Sequence, residues 1–379
     1  MFTLNEKDRY NRHRDRRRRV MKLNFEVKEY NYENRIGNLK AEAVGVTKSE
    51  KHFPIFEGGL IFKPLSKSKP FTTPLFAYVE VFWSTVISTY FMEAPVYSLA
   101  ICHGYENANE KYYDDGTIVP FIHRKDEHLM NLLEFYRAYP DEKVDIDSYV
   151  NYCMMFYDYT DILESNFFKE HEEFAEQLAL HVLVSILKGD QNYHYENVAF
   201  VCDENDNILR VAPMIDHEFS TYFLFMDDRQ DNLFWFDQLT RSIEGREVKE
   251  HEYDCFKDPK EIQLMEKSAV CLHKNLVYIK NRFPKLTESF LSNLKCFEQD
   301  LNEHPEQFEF IKNPSYKSQM CSYYFTIGKA RYKDEDEEKA KKYEEVYGNR
   351  FEEIEFKSCN LLAGLEIKKT IELMKEVLE

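Results

Sequence analysis

The chain has 379 residues, of which 43% are hydrophobic, and a formal net charge of −18 at pH 7. It can therefore bury one large or two medium cores, while its acidic balance opposes general attraction to nucleic acid. No stretch approaches the roughly 18 uninterrupted apolar residues of a membrane span, and the first residues are charged rather than signal-like, which excludes a membrane partner and predicts a soluble, cytoplasmic protein.

Cysteine and glycine usage argues against two further kinds of site. The eight cysteines are spread singly, without a C-x-x-C pair or histidines at zinc-finger spacing, which predicts reduced thiols and no structural zinc. Glycine is scarce, with 11 residues, and this argues against an elaborate glycine-rich nucleotide loop.

Residues 1–20 form a basic N-terminal arm, whose charge is opposite in sign to the net charge of the chain. Its arginines are Arg9, Arg12, Arg14, Arg16, Arg17, Arg18 and Arg19. Such a run is most often a solvated tail. Otherwise it is a docking segment for RNA, for an acidic partner or for the protein's own acidic surface, and the sequence leaves these alternatives open.

Residues 21–124 have the pattern of a small, mainly β, lobe. Short apolar stretches bounded by turn residues predict strands. The predicted strands are Leu23–Val27, Gly59–Lys63, Val96–Cys102 and Gly116–Ile122, with an acidic turn at Asp114–Gly116. Between the first two strands, Gly45–Ser49 is loop-like and is a candidate for covering phosphates.

Lys63 and Glu80 are the candidate charged pair of this lobe. Lys63 ends a buried-looking strand just before Pro64, and Glu80 is an acid within the apolar helical run Phe76–Phe91. An acid on so apolar a helix requires a partner or an exposed face. An ion pair between a strand lysine and a helix glutamate anchors nucleotide phosphates in kinases. The alternative for Lys63 is an edge lysine whose ammonium reaches solvent.

Residues 125–300 have the pattern of a larger helical lobe, and 301–379 that of a helical, charge-rich extension. Apolar residues at helical spacing predict most of the elements, and a turn-rich stretch predicts one hairpin. The predicted helices are Leu129–Phe135, Tyr149–Leu163, Phe174–Leu187, Gln263–Leu276, Leu286–Phe297 and Leu361–Leu378, and the hairpin joins Asn197–Cys202 to Ile208–Ala212.

A dense polar cluster, Lys188–Phe200, directly follows the helix that ends near Leu187 and leads into this hairpin, where catalytic loops are found. Asn197 closes the cluster and Asp216 closes the apolar run that follows. An Asn and an Asp are the residues with which phosphotransferases hold Mg²⁺ against nucleotide phosphates. The alternative is a polar turn followed by a capping Asp.

Together these features resemble the HipA-like kinases, including the CtkA-type branch, whose catalytic loop has the form N-x-D-x-H-x-x-N and whose metal loop has the form A-P-x-x-D. His194 and Asn197 match the first motif, and Ala212–Asp216 matches the second. Lys63 resembles the nucleotide-binding lysine and Glu80 its helix partner. The resemblance implies an α+β, bilobal protein-kinase-like fold with ATP and Mg²⁺ as cofactors.

One position departs from the family pattern. The catalytic aspartate of the family falls on Asn192, whereas Asp190 stands two residues earlier. An Asn cannot accept the proton of the acceptor hydroxyl, and such general-base help is worth roughly a hundred- to ten-thousand-fold in rate. Three explanations compete: a substitution that inactivates the enzyme, a natural pseudokinase, or an enzyme in which Asp190 acts as the general base. The intact remainder of the motif favours the first.

The resemblance further implies a serine/threonine protein kinase of the toxin or effector type, acting on a protein substrate. It also implies restraint by a separate inhibitory or antitoxin partner or by autophosphorylation, for which Thr47 and Ser49 are candidates. In this reading His194 is either catalytic or a structural histidine that bonds backbone carbonyls.

Two other functions stay open. A pseudokinase would act as a nucleotide-binding interaction module. A small-molecule kinase similar to the aminoglycoside phosphotransferases would use Gly189-Asp190 and Ile215–Glu218. In that family the Asp precedes the Asn by five residues, whereas Asp190 precedes Asn197 by seven, so the register favours the HipA-like match.

Overall fold

The architecture is taken from a computed structural model, and contacts are described for the residues that it places. These are 21, 23–24, 26–40, 52–66, 74–109, 111–124, 126–141, 144, 157–190, 193, 195–217, 220, 239–246, 259–304 and 367–379.

A six-stranded sheet forms most of the N-terminal lobe. Its strands are β1 (Lys28–Asn31), β2 (Gly37–Lys40), β3 (His52–Phe56), β4 (Leu60–Ser66), β5 (Ser98–His103) and β6 (Tyr112–Pro120), with a 3-10 turn at Tyr32–Asn34. In space they follow the order β1-β5-β6-β4-β3-β2. Neighbours are antiparallel except β1 and β5, which are parallel.

Most of the helices follow the six-stranded sheet in the sequence. The strands of a small second sheet alternate with them along the chain. The helices are α1 (Pro74–Val86), α2 (Tyr105–Ala108), α3 (Leu132–Ala138), α4 (Thr160–Leu163), α5 (Asn166–Glu170), α6 (Glu172–Lys188), α7 (Pro259–Arg282) and α8 (Pro284–Glu303). Residues 239–244 and 367–378 are also helical. The second sheet is antiparallel and consists of β7 (Glu127–Asn131), β8 (Ala199–Asp203) and β9 (Ile208–Val211).

Strand β4 directs successive side chains to opposite faces of the first sheet. Ile61 belongs to the large core that the sheet shares with the helices, whereas Phe62 belongs to a smaller aromatic core on the other face. Lys63 therefore emerges on the face of Ile61. Pro64 is tolerated because it lies beyond the residues of β4 that pair with β3, beside an irregularity in the pairing with β6.

Helix α1 lies in the large hydrophobic core. All of its side chains from Ala77 onward are buried, as expected for a helix that is hydrophobic on every side. It packs on β5 and β6, and the π-helical turn Ile87–Phe91 that continues it packs on α8. Glu80 is thereby carried into the core on a helix that contacts the sheet and, through the π-helical turn, the C-terminal helix α8.

The predicted fold class is confirmed: the chain is α+β, with a β-rich N-terminal lobe and a larger helical C-terminal lobe in the bilobal, kinase-like arrangement. The predicted hairpin and the predicted helices of α1, α6, α7 and α8 are present, with ends that differ by a few residues. The boundaries at 20, 124 and 300 stay predictions. The arm at 1–20 and most of the extension lie outside the described residues.

Three local predictions are wrong. The helix predicted at Leu129–Phe135 begins only at Leu132, because the side chain of Asn131 caps it: Asn131 Oδ1 accepts from Glu134 N, and Glu134 Oε2 accepts from Asn131 N. The residues before this cap pair with β8 as strand β7 instead.

The other two corrections concern strands. The acidic turn predicted at Asp114–Gly116 lies inside β6, where Gly116 pairs with both Pro64 and Ala100. The first strand begins at Lys28, after the predicted run Leu23–Val27, because its pairing partner β5 is available only for Lys28–Asn31.

Among the described residues, no helix has the length and apolar character needed to cross a membrane. The four cysteines placed here, Cys102, Cys202, Cys271 and Cys296, are thiols, and three of them are buried.

Candidate active site

Lys63 and Glu80 form an ion pair between β4 and α1. Lys63 Nζ lies 2.6 Å from Glu80 Oε1. The second carboxylate oxygen, Oε2, accepts a hydrogen bond of 2.8 Å from the Thr117 hydroxyl on β6. Glu80 and Thr117 are buried, while the Lys63 side chain keeps 22% exposure. The carboxylate can be buried because both of its oxygens have donors, and the ammonium is held at the edge of the core.

Asp216 reaches the same ammonium from the loop that follows β9. Its carboxylate forms a second ion pair with Lys63, and its backbone N–H donates a hydrogen bond of 3.4 Å to the Tyr97 hydroxyl. The φ angle of Asp216 is 59°, a left-handed conformation that is costly for most residues and that Asn and Asp tolerate best. Such outliers are held by their surroundings and cluster at functional sites.

The cluster of Lys63, Glu80 and Asp216 joins one ammonium to two carboxylates, so it has an excess of negative charge. Burial, and next the charge of Glu80, raise the pKa of Tyr97 above its ordinary value, which keeps the phenol protonated beside Asp216. A net negative, partly enclosed cluster is suited to a cation.

An apolar cleft opens directly beside this cluster, and the space in it, including the part open to solvent, is about 510 Å³. Its walls are Phe53, Ile61, Lys63, Tyr97, Val119, Pro120, Ile122, Ile215 and Asp216. Aliphatic and aromatic walls with a few convergent polar groups at one end are typical of small-ligand sites. The apolar part suits a flat ring, and Lys63 with Asp216 suits phosphate and a metal ion.

Asn197 lies half-buried in the turn that precedes β8. The backbone around it is fixed: Leu132 N donates to Val198 O at 2.7 Å and to Tyr195 O at 3.2 Å. The Tyr195 hydroxyl donates in turn to Asp158 O at 3.1 Å. The turn that carries Asn197 is therefore anchored to α3 and to the segment before α4.

Asp190 sits on the inner side of the loop. Gly189, with φ at 61°, ends α6 in the left-handed conformation that suits glycine, and Asp190 follows it. Its carboxylate lies 2.7 Å from Lys188 Nζ, and both side chains are buried. Asp190 also lines a second pocket, partly open to solvent, together with Tyr193 and Asn275, and none of the residues around this second pocket lines the cleft.

Lys188 has a second neighbour, His217, at 3.0 Å from Nζ to Nδ1. Burial, and next the Lys188 charge, hold the pKa of His217 well below its ordinary value. The same two causes lower the pKa of His181 to about 3. Both rings are therefore neutral at physiological pH, which leaves Asp190 as the carboxylate that compensates Lys188 among the described residues.

The predicted site residues are thus divided. Lys63, Glu80 and Asp216 meet at one end of the cleft, and Asp190 lies against Lys188. Asn192 and His194, together with Thr47 and Ser49, fall outside the described residues.

Sequence reasoning missed the contacts of Thr117, Tyr97 and Lys188. The usable signal for Lys188 was a charged residue at the end of an apolar helix directly before Gly189. Thr117 and Tyr97 offered no distinctive signal, because a Thr in a strand and a Tyr before one are ordinary residues there.

No family model and no curated protein matches the chain. Among solved structures it is similar to the crystal structure of a Helicobacter pylori proinflammatory kinase, CtkA, with a TM-score of 0.39 and 10% identity, over 79% of this chain and 97% of that one. A likeness of this degree assigns no family, and the functional argument depends on the side chains described above.

Proposed function

We propose that this protein is an ATP-dependent kinase of HipA-like type that transfers phosphate to serine or threonine in a protein. The observation that carries the proposal is the position of Lys63 Nζ, which pairs with both Glu80 and Asp216 at the end of an apolar cleft. Enzymatic phosphoryl transfer depends mainly on positioning and charge neutralisation. A lysine held by a buried carboxylate, next to a second carboxylate, supplies both.

Each residue has a role in this proposal. Lys63 orients the nucleotide phosphates, and Glu80 holds Lys63 in place. Asp216 and Asn197 provide oxygen ligands for Mg²⁺. Residue 192 faces the acceptor hydroxyl, where an Asn can position the hydroxyl but cannot take its proton.

ATP and Mg²⁺ fit the residues present. The apolar walls of the cleft accept an adenine ring, and a carboxylate with an amide oxygen is the kind of partial ligand set that Mg²⁺ completes with phosphate oxygens and water. When bound, Mg²⁺ neutralises charge on the phosphates. Within the described ranges no three or more His, Cys, Asp or Glu side chains form a metal cluster of their own.

The toxin or effector role, the separate inhibitory or antitoxin partner and the cytoplasmic location belong to the same proposal, and the resemblance of the motifs supports them. Autophosphorylation at Thr47 or Ser49 belongs to the proposal on the same basis.

A second candidate is a module that binds nucleotide without transferring phosphate. One observation favours it: Asp190, the nearest acid to Asn192 in the loop, is buried and ion-paired with Lys188. A carboxylate engaged in this way, and absent from the walls of the cleft, is not positioned to take a proton from an acceptor hydroxyl there.

The two candidates are separated by a radiolabelled ATP assay on the chain and on Asn192→Asp, with Lys63→Met as the inactive control. Transfer of label to the protein itself or to a protein from the same cells, gained or increased in Asn192→Asp and absent in Lys63→Met, supports the kinase. Mg²⁺-dependent nucleotide binding without transfer in either form supports the module. Absence of nucleotide binding contradicts both.

A further inference from the structure

Lys188 contacts the two loops of the candidate site at once. It is the last residue of α6 and is fully buried. Its ammonium lies 2.7 Å from Asp190 Oδ2, at the start of the catalytic loop, and 3.0 Å from His217 Nδ1, directly after Asp216 in the metal loop. These loops are far apart in sequence, and Lys188 bridges them inside the protein.

The chemistry of the groups fixes how they interact. An ammonium offers donors only, so His217 Nδ1 must accept, and the ring proton stays on Nε2. The ring is also held from the other side, because the Tyr97 ring meets it edge-on with centroids 5.8 Å apart. His217 therefore has one tautomer and one orientation. Asp216 is the preceding residue. Its left-handed backbone is therefore held on the N–H side by the Tyr97 hydroxyl and on the carbonyl side by the fixed His217.

Asp190 is needed in its present position to compensate the charge of Lys188. A fully buried ammonium is costly unless it is paired with a carboxylate, and among the described residues Asp190 is the only carboxylate within ion-pair distance of Lys188. Turning Asp190 toward the cleft would remove the one ion pair that Lys188 makes within the part of the chain that the structure describes. Its position in the second pocket with Tyr193, rather than in the cleft, agrees with a fixed role.

We propose that Lys188 is a positioning residue that holds the metal loop in the geometry required for Mg²⁺, and that Asp190 is its counter-ion rather than a catalytic base. The metal part of this inference rests on the proposed function, whereas the bridge between the loops does not. It follows that a missing aspartate at residue 192 is not replaced by Asp190.

The bridge is tested without nucleotide by hydrogen–deuterium exchange on the full chain. The variants are Lys188→Met and the double variant Lys188→Met/Asp190→Asn, which removes both charges and so avoids an unpaired buried carboxylate. Lys169→Met is the control, because it breaks the exposed pair with Glu164. We expect faster exchange in both 189–198 and 212–217 for the two Lys188 variants only. Unchanged exchange in 212–217 overturns the inference.

The metal role is tested by binding of a fluorescent ATP analogue with Mg²⁺ and with EDTA. Residues that orient metal ligands typically change metal affinity by about 10- to 100-fold, so we expect that loss in the Mg²⁺-dependent affinity of the double variant, with binding in EDTA unchanged. A double variant that folds and binds with Mg²⁺ like the original chain overturns the positioning role. If the original chain shows no Mg²⁺-dependent binding, the proposed function fails, and the exchange experiment alone decides the bridge.

Discussion

Lys63 Nζ lies 2.6 Å from Glu80 Oε1 although the two residues belong to different elements. Strand β4 delivers the lysine from one side and the buried helix α1 delivers the glutamate from the other. The carboxylate is fixed further by Thr117. In the proposed role, a lysine whose position is set by a buried carboxylate would lose little entropy on binding phosphate, which is the advantage of preorganisation.

Thr117→Val tests this arrangement. The substitution keeps the shape of the side chain but removes the hydrogen bond from Thr117 to Glu80 Oε2, and a hydrogen bond to a charged group is worth about 1.5–3 kcal/mol. We expect a loss of stability in this range by urea unfolding, together with weaker nucleotide binding. Thr85→Val is the matched control, because Thr85 donates to the Val81 carbonyl within the same helix. Equal losses of stability and of nucleotide binding in the two variants would contradict a specific role for the hydrogen bond to Glu80.

Substitutions of Asp216 separate its charge from its backbone conformation. Both Asp216→Ala and Asp216→Asn remove the carboxylate, so both should abolish Mg²⁺-dependent nucleotide binding. At φ 59° Asn is tolerated better than Ala, for which a left-handed backbone costs roughly 1–2 kcal/mol. We therefore expect Asp216→Ala to be less stable than Asp216→Asn by about 1 kcal/mol in urea unfolding. Mg²⁺-dependent binding that persists in either variant removes Asp216 from the metal site.

Asp115 gives a pH dependence with a definite sign. Burial on β6, and next the carboxylates of Asp114 and Glu106, raise the pKa of Asp115 from 3.8 to about 6. The folded protein then holds this proton more tightly than the unfolded chain, so the contribution of Asp115 to stability falls as the pH rises between these two values. We expect Asp115→Asn to raise the melting temperature near neutral pH and above, with little effect below about pH 4.

Asp114→Asn is the control for this prediction. Asp114 accepts hydrogen bonds from the backbone N–H groups of Gly104, at 3.2 Å, and Glu106, at 2.6 Å. Its substitution should lower the melting temperature rather than raise it. A decrease for Asp115→Asn near neutral pH would contradict the raised pKa.

Gly116 makes room for the strand that carries Lys63. A Cβ atom at Gly116 would lie 2.2 Å from the Lys63 carbonyl oxygen and 2.9 Å from Pro64 Cα. We expect Gly116→Ala to push β4 away from β6, at a cost of about 1–3 kcal/mol in the free energy of unfolding, and to weaken nucleotide binding by displacing Lys63. Gly37→Ala on β2 is the control, since nothing lies within 4 Å of its Cβ position. Similar losses in both variants would contradict the steric explanation.

The sequence predicts those parts of the site that depend on one long local pattern. The apolar run of α1 predicts a buried helix, and the lone acid within it predicts a charged partner for Glu80. The turn residues between β8 and β9 predict the hairpin that leads to Asp216. In each case the pattern within a short stretch determines the structure.

The remaining features depend on contacts between distant stretches. Whether Asp190 faces the cleft or the interior is decided by Lys188 and His217 together, and no local pattern reports their distance. The start of α3 depends on the cap formed by Asn131, which competes with an apolar spacing that also fits a longer helix. Single-sequence patterns do not resolve such competition.

The π-helical turn at the end of α1 has a consequence for motion. Phe91 meets Phe290 and Tyr90 meets Phe297 on α8, both with ring centroids 5.2 Å apart. The helix that carries Glu80 is thus joined to the C-terminal helices and cannot swing outward alone without separating these rings. Because α1 also packs on β5 and β6, a displacement of α1 would disturb the sheet and the C-terminal helices together.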